Sequence, residues 1–169
     1  MNLPNKISMI RILIIPIIVI IYYIVPDTIP VGYSSNLLWL LIPGLFIIAS
    51  LTDFLDGYIA RKYKLVTTFG KFIDPLADKL LVMTALLLLT VEGIIPVWIV
   101  ITILSREFIV TGIRLVAAPT GKVIAASKLG KYKTATTMVA LVLLLMNKFD
   151  KIFETSGMIL LYVGLALTV

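Results

Sequence analysis

Six long apolar runs occupy most of the 169-residue chain and restrict what it can fold into. A helix of about 20 apolar residues crosses the hydrocarbon core of a bilayer, and runs of this length are its sequence signal. Only 14% of the residues are charged, against about 25% in soluble domains. We therefore expect one all-α integral membrane domain over residues 1–169, with six transmembrane helices. The predicted spans are Ile7–Val25, Asn36–Ala60, Phe72–Val91, Ile94–Val116, Leu129–Met146 and Ile152–Val169.

The chain opens with polar residues at helical spacing, Asn5, Lys6, Ser8 and Arg11, within otherwise apolar sequence. This pattern is typical of an amphipathic helix that lies along the membrane interface. It predicts an interfacial segment before the first span. The last predicted span ends close to Val169. A natural chain that continues beyond this residue is therefore compatible with the pattern.

The distribution of basic residues predicts the orientation. If both termini and the even-numbered connections lie on one side, all of the 15 basic residues except Lys148 and Lys151 lie on that side. Cytoplasmic loops carry an excess of Lys and Arg, so both termini are predicted to face the cytoplasm of a bacterial-type cytoplasmic membrane. Part of the net charge of +6 is thereby a topology signal, and no nucleic-acid partner is expected.

Composition also limits the chemistry. The sequence contains neither cysteine nor histidine, which excludes thiol nucleophiles, imidazole bases and the usual zinc and copper ligands. Any reaction must use carboxylates, amines, guanidiniums or hydroxyls.

Four aspartates form the most informative group, because carboxylates beside apolar runs are costly unless they are paired, solvated or bound to metal. At about 100° per residue, they fall on one stripe at the end of the second run and another at the start of the third. Converging carboxylates repel one another unless cations are present. Oxygen ligands favour Mg²⁺, Mn²⁺ or Ca²⁺, and paired ions are common in phosphoryl transfer. The four residues are Asp53, Asp56, Asp74 and Asp78.

Pro75 leaves the start of the third helix open. Proline is favoured in the first turn of a helix. The third helix is therefore expected to begin either near Gly70 or only at Asp74. In the second case Gly70 would lie in the hairpin that joins the two helices.

The segment from residue 53 to residue 78 resembles the signature of the CDP-alcohol phosphatidyltransferase family in residue identity and spacing. The matching positions are Asp53, Asp56, Gly57, Ala60, Arg61, Gly70, Asp74 and Asp78. The resemblance implies a metal-dependent transfer of a phosphatidyl group from CDP-diacylglycerol to a small alcohol, with release of CMP. It also implies a homodimer in contact with membrane lipids.

The resemblance also implies residue roles. Two divalent ions, Mg²⁺ or Mn²⁺, would be bound by Asp53, Asp56, Asp74 and Asp78, with Asp78 also acting as the general base on the acceptor hydroxyl. The CDP group would be bound by Gly57, Ala60, Arg61 and Gly70. Asn5 is expected either to border the nucleotide or to make a simple interfacial hydrogen bond.

A second group of basic residues predicts the acceptor. Arg106 and Arg114 lie at i and i+8 in the fourth run, and Lys131 and Lys133 lie at the start of the fifth. Arginine and lysine suit a phosphate dianion, so these four residues are predicted to bind an acceptor phosphate. They also resemble the branch of the family that uses glycerol 3-phosphate. An ion pair between Arg106 and Glu107 is the alternative for that arginine.

Other functions remain open at this point. The same chemistry with phosphatidylglycerol, as in cardiolipin synthesis, or with inositol phosphate differs only in the acceptor. A cation-coupled transporter is a more distant alternative, because transporter sites usually lie near the bilayer midplane between structural repeats, and this sequence shows no repeat.

Overall fold

The computed structural model describes residues 3–24, 39–52, 68–117 and 128–167. These residues form six helices and no strand, which confirms the all-α prediction and the number of helices. None of the helices in the described ranges meets the length and apolarity required of a membrane span. The helices are α1 (Leu3–Ile24), α2 (described over 39–52), α3 (Thr68–Val91), α4 (Val97–Ala117), α5 (Lys128–Leu145) and α6 (Lys151–Ala166).

Helix α3 is central in the fold, because it packs against α1, α4 and α5, while α6 packs against α5. The interfaces are filled by large side chains that are almost completely buried, including Phe46, Leu81, Leu89, Ile99 and Leu141. Close packing of such side chains stabilises the helix contacts through many small van der Waals attractions. Side chains on different faces of α3 therefore lie near different neighbouring helices.

Helix α1 corrects the predicted interfacial segment. It is continuous from Leu3 to Ile24 and contains Pro16, so the polar opening residues from position 3 onward belong to the first helix itself. Ser8 and Arg11, which the sequence pattern placed at an interface, are 0% and 1% exposed. Their polar groups face other helices instead, where they hydrogen-bond to Asp74 and to the carbonyl of Ala49.

The start of α3 decides between the two alternatives for Pro75. The helix begins at Thr68, so Pro75 lies inside it and Gly70 lies in its first turn rather than in a hairpin. Proline inside a helix removes one backbone hydrogen bond, but the helix continues through it to Val91. Gly70, Asp74 and Asp78 therefore share one helix at i, i+4 and i+8, as the stripe prediction required.

The connection between α3 and α4 is a tight turn. Gly93 has a φ of 75°, in the left-handed region that glycine adopts without a Cβ clash. Pro96 directly precedes α4, which explains why the helix begins at Val97 rather than at the predicted Ile94.

The end of the bundle farthest along α3 from Asp74 is held by a polar and aromatic cluster. Glu92 accepts a hydrogen bond from Asn147 Nδ2 at 3.2 Å and lies 3.8 Å from Lys148 Nζ. The same ammonium lies 4.8 Å from the centre of the Trp39 ring, in the range of a cation–π interaction. Tyr22 packs edge-on against Trp39. The cluster connects α1, α2 and α3 to the turn that follows α5.

Helix α6 approaches α5 closely through two glycines. A Cβ on Gly157 would lie 2.7 Å from Leu144 Cγ and 3.1 Å from the carbonyl oxygen of Ala140. A Cβ on Gly164 would lie 2.9 Å from Thr137 Oγ1. Small residues at such crossings allow two helix backbones to come close together.

We expect Gly157→Ala to lower the free energy of unfolding by about 1–3 kcal/mol, because the added methyl group overpacks the α5–α6 contact. The melting temperature of the purified protein should fall by several degrees. Gly112→Ala on α4 is the control, since nothing lies within 4 Å of its Cβ position and alanine is the better helix former. Equal melting temperatures for the two variants would contradict the close contact.

Candidate functional site

Helix α3 presents two of the predicted aspartates, Asp74 and Asp78, four residues apart. Asp74 accepts a hydrogen bond from Ser8 Oγ on α1 at 2.5 Å, and the serine is completely buried. A hydroxyl donor stabilises the ionised carboxylate and fixes its orientation. The α1–α3 contact therefore contains a carboxylate held in place by a side chain that is 66 positions earlier in the sequence.

Arg11 lies one turn after Ser8 on α1 and joins that helix to α2. Its Nε donates a hydrogen bond to the backbone carbonyl of Ala49 at 3.1 Å. The same oxygen also accepts a hydrogen bond from Thr52 Oγ1 at 3.0 Å, so two side-chain donors meet at this carbonyl. The buried guanidinium thereby brings positive charge to the end of the bundle that contains Asp74.

Lys79 follows Asp78 on α3 and extends to α4. Its Nζ donates to the hydroxyl of Thr111 and to the backbone carbonyl of Glu107, the latter at 3.4 Å. The same ammonium lies 3.7 Å from Glu107 Oε2. Lys79 is therefore part of the α3–α4 interface.

Glu107 on α4 is the centre of an ionic cluster. Among the described residues, three cations approach its carboxylate: Lys79, Arg106 and Lys133. The Arg106 Nη1 atom lies 3.3 Å from Oε1, and the Lys133 ammonium donates to the same oxygen. Lys133 is only 3% exposed, and a buried ammonium is strongly destabilising without a partner. The cluster joins α3, α4 and α5 through one carboxylate.

A cavity open to the outside lies between these three helices, with about 560 Å³ of space when the solvent at its mouth is included. One part of its wall is charged or hydroxylated and the other part is apolar. The cavity can therefore accept a ligand that has both a polar and an apolar part. The polar lining residues are Asp78, Lys79, Glu107, Lys133, Thr134 and Thr137, and the apolar ones are Val82, Ile103, Leu104, Phe108 and Met138.

Several predicted site residues belong to described helices without a described side chain. Their helix positions are Asn5 on α1, Gly70 on α3, Arg114 on α4 and Lys131 on α5. Lys131 precedes Lys133 by two positions, and Arg114 follows Arg106 by two helical turns. The predictions that fall outside the described residues are those for Asp53, Asp56, Gly57, Ala60 and Arg61.

Three residues of the site did not follow from the sequence as members of it. Ser8 and Arg11 are buried contacts rather than interfacial groups. The apolar residues around them in the sequence were the signal that could have indicated their burial. Glu107 was expected only as an ion-pair partner of Arg106, a pair that the structure contains. Its contact with Lys133 joins α4 to α5. Sequence spacing within one helix carries no information on a contact between two helices.

The oxygen donors fit a hard divalent cation. Asp74 and Asp78 supply carboxylates on one helix face, and the absence of histidine and cysteine from the sequence leaves oxygen as the only common donor. Within the described ranges no group of three or more acidic residues is close enough to bind a metal ion. The other two aspartates of the predicted set, Asp53 and Asp56, lie outside those ranges.

The site is thus an acidic helix face beside a cation-lined cavity in an all-helical bundle. The family model for CDP-alcohol phosphatidyltransferase matches residues 1–169. The chain belongs to this family, which confirms the resemblance found in the sequence.

Individual relatives match the chain over most of its length. A Bacillus subtilis (strain 168) protein is 50% identical over 155 residues, which cover 86% of this chain and 77% of the relative. A Rickettsia typhi protein is 40% identical over 171 residues, or 99% of this chain and 91% of the relative. Both are named CDP-diacylglycerol–glycerol-3-phosphate 3-phosphatidyltransferase. An Arabidopsis thaliana protein with the same name followed by the number 2 is 37% identical over 185 residues, or 99% and 75%.

We expect Ser8→Ala to lower the melting temperature, because the half-buried Asp74 carboxylate loses a donor at a cost of about 1–3 kcal/mol. In a double-mutant cycle with Asp74→Asn, the two substitutions should be coupled by about 0.5–3 kcal/mol. Ser156→Ala on α6 is the matched control and should leave the melting temperature unchanged within error. Additive effects of Ser8→Ala and Asp74→Asn would contradict the contact.

Proposed function

We propose that this chain transfers a phosphatidyl group from CDP-diacylglycerol to glycerol 3-phosphate, which gives phosphatidylglycerophosphate and CMP. Family membership over the whole chain supports the reaction class. The names of the relatives support this donor and this acceptor. The observation that carries the proposal is that the acidic and the basic residues meet at the cavity wall. There, Asp78 of the family signature lines the same space as Lys79 and Lys133.

The reaction needs one proton acceptor at this junction. The acceptor hydroxyl oxygen forms a bond to the phosphorus that bears the diacylglycerol, and the bond from that phosphorus to the oxygen shared with CMP breaks. The hydroxyl proton passes to the Asp78 carboxylate, and CMP leaves with the bridging oxygen. A carboxylate that lines the cavity is placed to act on a hydroxyl bound there.

We propose two divalent ions, Mg²⁺ or Mn²⁺, held by Asp53, Asp56, Asp74 and Asp78. When bound, they would neutralise the diphosphate and stabilise the leaving group. The oxygen-only donor set and the hydrogen bond from Ser8, which fixes Asp74, support this assignment. Asp78 would then serve both as a ligand and as the base.

The nucleotide part of the donor is proposed to bind beside the metal ligands, at Gly57, Ala60, Arg61 and Gly70. The position of Gly70 on α3, one turn before Asp74, supports this arrangement, since a residue without a side chain leaves room for a ligand. We place Asn5 at the edge of the same site, and its position on α1 one turn before Ser8 is consistent with that.

The acceptor phosphate is proposed to bind to Arg106, Arg114, Lys131 and Lys133. The support is the convergence of the Arg106 and Lys133 side chains on one carboxylate oxygen, because groups that meet around one oxyanion can also meet around another. The cavity extends from Lys133 to Asp78, which is the path between the proposed acceptor phosphate and the base.

We further propose that the bundle is embedded in the bacterial cytoplasmic membrane through six spans, as a homodimer, with both termini and the active site at the cytoplasmic face. Contact with lipid is supported by large apolar side chains that face outward along several helices. These include Leu13, Ile17 and Ile20 on α1, Ile101, Phe108 and Ile109 on α4, and Ile152, Ile159 and Val163 on α6. The bias of basic residues supports the orientation, and the family resemblance supports the dimer.

The proposed activity is tested by CMP release from the detergent-purified full chain with CDP-diacylglycerol, Mg²⁺ or Mn²⁺, and one acceptor at a time. We expect release with glycerol 3-phosphate and loss of that release on addition of EDTA. Preference for phosphatidylglycerol, inositol phosphate, inositol or serine would contradict the proposed acceptor.

The same assay tests the base when it is run on Asp78→Asn. This substitution should abolish turnover while CDP-diacylglycerol binding stays within about tenfold of the wild type, because only proton transfer and one ligand charge are lost. Release near the wild-type rate would remove the assignment of Asp78 as the base.

Orientation is tested by single-cysteine labelling, since the natural sequence contains no cysteine. A membrane-impermeant maleimide applied to intact spheroplasts should label Lys151→Cys and should label Lys122→Cys only after permeabilisation. The reverse pattern would contradict the proposed topology, and recovery of the protein outside the membrane fraction would contradict the embedding.

A further inference from the structure

The arrangement around Glu107 contains more than a binding site for an anion, because an anion of the protein already lies there. Within the described part of the chain, its carboxylate is shared by one cation from each of three helices: Lys79 of α3, Arg106 of α4 and Lys133 of α5. Two of these cations belong to the proposed cavity wall. The carboxylate occupies the point at which they converge.

The members of the cluster differ in exposure. The side chain of Lys133 is 4% exposed, whereas that of Glu107 is 28% exposed. The ammonium therefore depends on a partner within the bundle, since a buried charge without one is strongly destabilising. Glu107 is the partly solvated member, and it can move toward water at a smaller cost than Lys133.

A phosphate group is the stronger competitor for the same donors. It carries up to two negative charges and more acceptor oxygens than a carboxylate, and its hydrogen bonds to Arg and Lys are strong. A phosphate on Lys133 and Arg106 would lie beside Glu107, and adjacent like charges repel. The phosphate and the Glu107 carboxylate therefore cannot share Lys133 and Arg106 stably.

We infer that Glu107 is an internal counter-ion that pairs with Lys133 and Arg106 when no acceptor is bound. The phosphate of the acceptor displaces it from these two cations. This inference rests on the proposed function, because it assigns the replacing anion to the acceptor substrate. It makes Glu107 a specificity-determining residue. An uncharged alcohol does not replace the carboxylate, so the cluster stays closed to acceptors that lack a phosphate.

The inference predicts the direction of a binding change. Glu107→Gln keeps the shape of the side chain and removes its charge, so inorganic phosphate should bind about tenfold more tightly than to the wild type. If Glu107 only braced the cations in a binding geometry, the same substitution would weaken phosphate binding. The opposite signs make the two roles distinguishable.

The experiment is a titration of the detergent-purified full chain with inorganic phosphate, followed by thermal unfolding. EDTA is present to remove divalent ions, and chloride keeps the ionic strength constant. Glu107→Gln should unfold at a lower temperature than the wild type without phosphate and should gain more from phosphate. Glu154→Gln, at an exposed position on α6, removes the same charge elsewhere and should titrate like the wild type.

A second variant covers the case in which Glu107→Gln does not fold. Glu107→Asp keeps the charge on a side chain that is shorter by one methylene, so its contact with Lys133 is weaker and phosphate should again bind more tightly than to the wild type. Unchanged or weaker binding in either folded variant would overturn the inference. CMP release by the wild type is measured on the same preparation. Its absence would overturn the proposed function, whereas normal release with weaker phosphate binding in the variants would overturn only the role of Glu107.

Discussion

A buried ammonium that requires a carboxylate determines how three helices of this bundle meet. Lys133 on α5 has almost no contact with solvent, and Glu107 on α4 is its partner. Lys79 reaches the same carboxylate from α3. Without an anion beside it, this buried ammonium would have no adequate solvation. The ionic cluster therefore fixes the relative positions of α3, α4 and α5, and the cavity between these helices depends on it.

Helix α3 connects the two halves of the site. At about 100° per residue, Asp78 shares a helix face with Asp74, whereas Lys79 is turned well away from it. Asp74 contacts Ser8 on α1, Asp78 lines the cavity, and Lys79 contacts α4. Asp78 lies between the other two directions. One helix thereby combines the carboxylates proposed for the metal ions with the wall of the proposed acceptor pocket.

The sequence predicted the helical class, the number of helices and the stripe on α3 because these depend on local periodicity. Family membership also followed from it, because the signature is a matter of residue identity and spacing. The roles of Ser8 and Arg11 were missed, since a polar residue in an apolar helix has the same pattern whether it faces an interface or another helix. The Glu107–Lys133 contact depends on how α4 and α5 are placed, which no local pattern specifies. The start of α3 was left open because Pro75 is compatible with both a first turn and a helix interior.

The close approach of α6 to α5 affects a surface that α6 does not reach. Gly164 abuts Thr137 from behind, and Thr137 is part of the cavity lining. Thr137 is nearly buried, so a larger residue at position 164 would push its hydroxyl toward the space where an acceptor is proposed to bind. The width of the cavity is in this way set partly by a helix outside its wall. Sequence variation along the outer helix is then a means of adjusting the shape of the proposed acceptor pocket while every residue that lines it is kept.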